Sequence, residues 1–268
     1  MGEIHYKALN DEIELVKKIN KMEQNKIIEI FKIPPNYSKG KKIYAVHVQT
    51  KQESPIHKSK IHPKADVFLI ATEDNINKEY LSDVEILCSL KYESIPGTGI
   101  SVKQEGSKNY TLVKISPVPF KHIFGNAELG AAASLYIEPN DKNLNVIKGW
   151  GTDRSSLEEF LIKEGIISSI EFDLNSADSL KKIKEGAIEK IIEIIEGNKK
   201  LKDRLLWGIG IFREPYCAHF FYQDCKLSHK EDTEIKFSVT TGSGRSREDY
   251  TIVLKPKKVH QRKYEKLC

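Results

Sequence analysis

Two stretches of the chain determine the expected fold: HPKADVFLI at residues 62–70 and IPGTGISVKQEGSKNYTLVKI at residues 95–115. In the first, Asp66 precedes a continuous apolar run. In the second, a short apolar segment rich in β-branched residues ends at Lys103. Such runs, bounded by Pro and Gly, are typical of buried strands. The sequence therefore predicts two strands of one sheet, one opening at Asp66 and the other closing at Lys103.

The rest of the chain predicts further strands and several helices around this pair. The order of helix, strands, helices and strands favours a mixed α/β fold or an α+β fold. We expect one sheet from strands at 43–50, 65–71, 84–90, 100–103 and 110–115, a second β region at 216–222, 234–240 and 249–254, and helices at 8–31, 127–137, 157–164 and 178–196.

Composition narrows the class of protein. The chain has 268 residues, of which 39% are hydrophobic, enough for one large domain or two small ones with a core. No apolar run reaches the roughly 20 residues that a spanning helix requires. The first residues carry no export or lipidation signal, and four scattered cysteines do not form a disulfide framework. We therefore expect a cytoplasmic protein, with no membrane partner and with reduced thiols.

The positive charge is unevenly placed. The net charge is +5, and the segment 226–268 alone contains 11 Lys and Arg against 6 Asp and Glu, so the segment 1–225 is balanced. Arg245 and Arg247 lie in a Gly/Ser loop of this basic tail. A basic excess concentrated in one segment is typical of a surface that meets nucleic acid phosphates.

Common catalytic motifs are missing from the sequence. There is no GxxxxGK[ST], GxGxxG, HExxH or GxSxG, so a nucleotide cofactor, a zincin and an ordinary serine hydrolase lose their sequence support. One Cys/His set, C-x-H-x5-C-x3-H, has the ligand types of a zinc site but not a usual spacing. It leaves a zinc-binding protein as an alternative, built on Cys217, His219, Cys225 and His229.

Asp66 and Lys103 have the residue types that phosphodiester hydrolysis requires. A carboxylate at the mouth of a strand can bind Mg²⁺, which retains most of its waters and needs only one or two carboxylates beside the phosphate. A neighbouring lysine can orient or deprotonate the attacking water and offset the charge that develops on phosphorus. The competing structural interpretation makes Asp66 a strand-initiating turn residue and Lys103 a solvated edge lysine.

In these residues the chain resembles the PD-(D/E)XK nucleases, and among them the type II restriction endonucleases. The resemblance covers roughly residues 10–137 and implies a restriction-endonuclease-like core, a mixed sheet flanked by helices. It implies that Asp66 is the first acid, that Lys103 is the catalytic lysine, and that Val102 offers its carbonyl to the metal. Ser101 stands where the family usually has its second acid, so the second acidic ligand is open. Candidates for a displaced acid are Glu85, Glu93, Glu105 and Glu29.

A second register is open for the lysine. Ser89, Leu90 and Lys91 repeat the S-x-K form, and they also follow Asp66 in the chain. We prefer Lys103, because the glycines that precede it permit close approach of the backbone to a phosphate.

DNA contacts are predicted mainly in the C-terminal part. Arginine can bond guanine O6 and N7 together, so Arg245 and Arg247 are candidate base readers. Other candidate DNA contacts are Arg213, Lys108, Asn109 and the lysines of the basic tail, among them Lys255.

Together these features predict a Mg²⁺-dependent type II restriction endonuclease acting on double-stranded DNA. We expect a nuclease core at residues 1–200 and a β-rich recognition part at 201–268, or one continuous domain. The resemblance also implies a homodimer, in which each subunit cuts one strand of a palindrome. The alternatives are a non-catalytic DNA-binding protein and the zinc-binding protein described above.

Overall fold

The computed structural model describes residues 2–54, 59–136, 142–243 and 250–267. The chain divides into two compact units. Unit 1 comprises Met1–Tyr110, Asp203–Ile235 and Lys258–Cys268, and unit 2 comprises Thr111–Lys202 and Lys236–Lys257.

Helices and strands alternate irregularly along the chain. The α-helices are α1 (Gly2–Asn20), α2 (Gln24–Phe31), α3 (Pro35–Ser38), α4 (Asp83–Ser89), α5 (Pro117–Phe124), α6 (Glu128–Ser134), α7 (Lys142–Gly149), α8 (Arg154–Lys163), α9 (Ala177–Glu196) and α10 (Lys199–Trp207). The strands are β1 (Lys42–His47), β2 (Gln52–Ser54), β3 (Ser59–Ile61), β4 (Val67–Thr72), β5 (Glu93–Ser94), β6 (Ile100–Val102), β7 (Val113–Ile115), β8 (Phe220–Gln223), β9 (Lys226–His229), β10 (Thr233–Ser243), β11 (Tyr250–Gln261) and β12 (Glu265–Lys266).

Unit 1 is built on a mixed seven-stranded sheet. Its strand order is β1-β4-β6-β8-β9-β12, and β5 pairs with β4 outside this path. The pair β6 and β8 is parallel, whereas β4 runs antiparallel to both β1 and β6. All six residues of β4 are buried, as the apolar run in the sequence predicts. The predicted mixed α/β class is therefore confirmed.

Amide side chains of the first two helices complete the outer edge of β1. Asn20 accepts a hydrogen bond from the Ala45 N–H (2.6 Å) and donates one to its carbonyl (3.1 Å). Gln24 makes the same pair of bonds with Ile43 (2.7 and 3.1 Å). These bonds satisfy backbone groups that a free edge would leave without partners. They fix α1 and α2 against the strand that leads to the candidate site.

Gly99 permits the close approach of the segment before β6 to the segment before β8. A Cβ atom on Gly99 would lie 1.9 Å from the Cys217 carbonyl oxygen and 2.8 Å from that of Pro215. Both neighbours are backbone atoms, so a side chain here would force two chain segments apart.

Unit 2 combines helices with a three-stranded sheet of order β10-β11-β7. The small residues of α6 are buried, and Gly130 lies directly beneath the Trp150 ring. Helix α9 buries an apolar stripe that includes Leu180, Ile183 and Ile191. The helices predicted at 127–137, 157–164 and 178–196 correspond to α6, α8 and α9.

Four predicted features differ in the structure. The segment at 84–90 is helix α4, because the Ser82 hydroxyl and the Glu85 carboxylate form a reciprocal capping box. The helix predicted at 8–31 is two helices, interrupted after Asn20. Strand β7 does not join the sheet of β4 but pairs with β11. The strand predicted at 216–222 in the second β region is β8, which pairs with β6 and so belongs to the sheet of β4.

Within the described residues, none of the helices has both the length and the apolar character that crossing a bilayer requires.

Candidate active site

Asp66 directly precedes β4, and its backbone is hydrogen-bonded to Ile100 of β6 and to Val48, the residue after β1. Its backbone N–H donates to the Ile100 carbonyl (2.8 Å), and its carbonyl accepts from the Val48 N–H (2.9 Å). Its carboxylate Oδ2 accepts from the Val102 N–H at 2.7 Å. Backbone and side chain are thus both fixed by the sheet, and 28% of the side chain is exposed.

Lys103 lies directly after β6 and reaches the same point. Its backbone N–H donates to the Tyr222 carbonyl (2.8 Å), which continues the pairing of β6 with β8. The ammonium donates to the Ser101 hydroxyl (2.7 Å) and to the Val102 carbonyl (3.0 Å). Lys103 Nζ lies 4.0 Å from Asp66 Oδ2. The structure therefore brings together Asp66, Ser101, Val102 and Lys103.

The electrostatic environment of Asp66 is unusual. Burial raises the pKa of the carboxyl from 3.8 to about 6, Lys103 lowers it, and the charge of Glu12 raises it again. The Val102 N–H and His47 have smaller lowering effects. Perturbed carboxyl groups beside a lysine are typical of catalytic sites.

A second lysine shares this environment. Burial lowers the pKa of Lys64 from 10.5 to about 7, with a further lowering by Lys103 and an opposing effect of Asp66. The sequence analysis did not identify Lys64, although it lies close before Asp66 in the chain. Two lysines and one aspartate thus interact at the opening of β4.

Glu12 and His47 are the functional candidates that the sequence analysis missed. His47 is only 2% exposed, and it ends β1 opposite Val67, the residue after Asp66. Its Nε2 lies 2.8 Å from Glu12 Oε2 on α1. The charge of Glu12 raises the pKa of Asp66. No local motif marks Glu12, because it is distant from Asp66 in the sequence and lies on a helix.

The predicted substitutes for the second acid are placed elsewhere or otherwise engaged. Glu85 caps α4 and Glu93 forms an ion pair with Lys41. Glu29 is exposed on α2, not on the first helix. Glu105 lies with Lys103 in the lining of a small cavity of about 140 Å³.

The alternative lysine lies at the wrong end of β4. The Lys91 carbonyl accepts from the Thr72 hydroxyl (2.9 Å), and Thr72 is the last residue of β4. Asp66 precedes the first residue of the same six-residue strand, so the two ends are separated by about 20 Å at 3.3 Å per residue. The geometry favours Lys103 over Lys91.

The oxygen atoms near Asp66 suit a hard divalent cation. Within the described residues, no three or more His, Cys, Asp or Glu side chains form a group that could hold a metal ion. Mg²⁺ requires fewer protein ligands, because water and substrate phosphate complete its shell. The Asp66 carboxylate and the Val102 carbonyl are oxygen donors of the type it prefers, and the charge of Glu12 acts on Asp66, so the residues present fit this cation.

The predicted DNA contacts are distributed over both units. Lys108 and Asn109 are exposed in the loop that follows Lys103. Arg213 is exposed and lines a cavity of about 820 Å³ with Lys51 and Lys60. Lys255 is half-buried on β11 in unit 2. Arg245 and Arg247 lie outside the described residues.

The Cys/His set does not form a zinc site in the structure. The Cys217 thiol is buried and donates to the Phe212 carbonyl (3.1 Å). His219 pairs with a glutamate, and His229 Nδ1 accepts from the Glu231 N–H. Cys225 is disulfide-bonded, which corrects the prediction that all the cysteines are reduced. The Leu267 N–H donates to the Cys225 carbonyl (2.9 Å).

Comparison of the chain with protein-family models, with curated proteins and with solved structures found no match.

Proposed function

We propose that this protein is a Mg²⁺-dependent endonuclease that hydrolyses phosphodiester bonds of double-stranded DNA at a short specific sequence. The observation that carries the proposal is the convergence of Asp66 and Lys103, 4.0 Å apart, on the ends of two adjacent strands. The resemblance to the PD-(D/E)XK nucleases, and among them the type II restriction endonucleases, supports the same conclusion from the sequence.

Asp66 and Glu12, with the Val102 carbonyl, would hold the metal ion. When bound, Mg²⁺ offsets the charge of the scissile phosphate and acidifies a coordinated water. Because the Val102 N–H also donates to Asp66 Oδ2, it orients the carboxylate on the strand that carries the lysine. Binding a cation beside Asp66 favours the ionised carboxylate, against the burial that raises its pKa.

Lys103 would act on the attacking water. An ammonium has three N–H donors, and the described contacts with Ser101 and Val102 use two of them. The third donor is left to orient the water or to contact a phosphate oxygen. Ser101 thus supports the lysine through its hydroxyl and adds no charge of its own.

In the proposed reaction the water oxygen forms a bond to phosphorus, and the bond from phosphorus to the 3′-oxygen breaks. The water gives up one proton and the leaving 3′-oxygen takes up one, so the products are a 5′-phosphate and a 3′-hydroxyl. The resemblance implies this polarity. A homodimer acting on a palindrome would place one such site on each strand.

Sequence recognition would depend on the arginines. We assign base reading to Arg245 and Arg247, because arginine is the side chain that most often bonds guanine through two atoms. Arg213, Lys108, Asn109 and Lys255 would contact the DNA backbone, which supplies affinity without specificity.

Plasmid cleavage tests the proposal. Supercoiled DNA is incubated with purified protein in Mg²⁺ or in EDTA, and discrete fragments are expected in Mg²⁺ only. Asp66→Ala and Lys103→Ala should abolish cutting and leave DNA binding intact. Lys91→Ala is the matched control, because it removes a lysine of the same S-x-K form at the far end of β4, and it should cut normally. Intact plasmid after incubation with folded wild-type protein, over a range of salt and divalent metals, would reject the proposal in favour of a non-catalytic DNA-binding protein.

A further inference from the structure

A chain of hydrogen bonds leads from the protein surface to Glu12. Gln49 Nε2 donates to the Tyr80 hydroxyl at 3.2 Å, and Tyr80 Oη lies 2.8 Å from His47 Nδ1. The opposite ring nitrogen, His47 Nε2, lies 2.8 Å from Glu12 Oε2. Four side chains from α1, from β1 and from the segments that follow β1 and β4 are thus joined in one line.

The direction of donation along this line is consistent. The phenolic oxygen accepts from the Gln49 amide, so its own O–H is available to His47 Nδ1. With Nδ1 accepting, the ring hydrogen of a neutral imidazole is on Nε2, where it donates to the Glu12 carboxylate. In the neutral form each member except the carboxylate donates to the next, and the Tyr80 hydroxyl favours the tautomer whose Nε2–H binds Glu12; a charged ring donates to Glu12 through the same Nε2–H.

His47, in the middle of this hydrogen-bonded line, is held in place by the fold. His47 is 2% exposed, and its backbone N–H donates to the Leu81 carbonyl (2.9 Å), directly after Tyr80. The Glu79 carbonyl accepts from Asn20 on α1 (3.0 Å), which holds the Tyr80 segment against that helix. Glu12 is less constrained, with 22% of its side chain exposed. Its carboxylate is hydrogen-bonded to His47.

We propose that His47, oriented by Tyr80, is a positioning residue that holds the Glu12 carboxylate beside Asp66, so that both acids can bind one divalent cation. This inference rests on the proposed function, because it gives Glu12 its role as the second acid. Hydrogen-bond partners that orient metal-binding side chains typically contribute about 10- to 100-fold to metal affinity.

The test measures cation binding without DNA or turnover. Mn²⁺ alone is titrated calorimetrically into the full chain and into Tyr80→Phe, which removes one oxygen atom and retains the ring. Tyr80→Phe should weaken Mn²⁺ binding about 10-fold or more. Tyr37→Phe is the matched control, because Tyr37 packs against the same apolar cluster as Tyr80 and lies outside the hydrogen-bonded line. Its affinity should equal that of the wild type.

Two substitutions of His47 separate positioning from packing. Glutamine places an amide donor near the position of Nε2 and can still bind Glu12, whereas asparagine reproduces only the Nδ1 side. His47→Gln should therefore bind Mn²⁺ more tightly than His47→Asn, and thermal unfolding should show that both are folded. A purely structural histidine would give equal affinities. If either His47 variant fails to fold, the Mn²⁺ affinity of Tyr80→Phe still tests the positioning role.

The outcomes distinguish this inference from the proposed function. If wild-type protein binds Mn²⁺, loses it in Asp66→Ala and keeps it unchanged in Tyr80→Phe, the positioning role is wrong and the nuclease proposal stands. If wild-type protein binds no Mn²⁺ and cuts no DNA, both fail together.

Discussion

Replacing Asp66 by asparagine should stabilise the protein at neutral pH while removing cation binding. The carboxyl pKa is about 6 in the folded protein against an ordinary value of 3.8, chiefly because burial disfavours the charged form. The folded state therefore binds a proton more readily than the unfolded state, and stability falls as pH rises from about 4 to about 6. Above about pH 6 the loss of stability caused by the charged Asp66 carboxylate is complete.

The size of this effect follows from the two pKa values. A difference of about 2 pKa units corresponds to about 3 kcal/mol at pH 7.5 and about 1 kcal/mol at pH 4.5. Because 28% of the Asp66 side chain is exposed, water reduces the effect, and these figures are upper bounds. Asparagine has nearly the same size, leaves no cavity, and its Oδ1 can still accept from the Val102 N–H.

Urea unfolding of both proteins at pH 4.5 and pH 7.5 measures the difference. Asp66→Asn should be more stable than the wild type at pH 7.5, and the gain should shrink at pH 4.5. Asp178→Asn is the control, since Asp178 is exposed in the first turn of α9 and its removal should cost a few tenths of a kcal/mol at most. A variant that is less stable than the wild type at pH 7.5, or a gain that does not change with pH, would refute the reasoning.

Four further substitutions test the sheet and the proposed DNA reader. Gly99→Ala should lower the free energy of unfolding by about 1–3 kcal/mol or more, because the added Cβ would overlap backbone atoms. An unchanged urea midpoint would contradict this close approach. Asn20→Ala should cost about 1–3 kcal/mol in the same assay, because it leaves the edge groups of Ala45 without their partners. Arg245→Ala or Arg247→Ala should relax or remove sequence preference in cleavage of mixed DNA fragments, and full retention of specificity would reject their role.

The parts of the fold that local signals determine were predictable. The buried run after Asp66 is strand β4, and the apolar stripe from Leu180 to Ile195 is helix α9. The error at 84–90 was avoidable, because the Ser82 and Glu85 spacing of a capping box lies in the sequence and outweighs the strand-like composition that follows.

Other features depend on contacts between distant segments. Strand β7 is short, and its pairing with β11 joins Ile115 to Ile252, positions so far apart in the chain that no local pattern indicates it. The candidate active site also depends in part on contacts between distant segments. Asp66 and Lys103 could be identified because each ends or begins a recognisable strand. Glu12 could not, because it is one of several acids on α1 and only the packing of that helix against β1 brings it to His47.

The most direct test of the nuclease proposal is to sequence the DNA ends produced from a plasmid of known sequence in Mg²⁺. We predict that every end lies at a fixed position in one short sequence and carries a 5′-phosphate, and that both Asp66→Asn and Lys103→Ala produce no such ends. Uncut plasmid with the wild-type protein, or the same ends with either variant, would contradict the assignment of Asp66 and Lys103 as the catalytic pair.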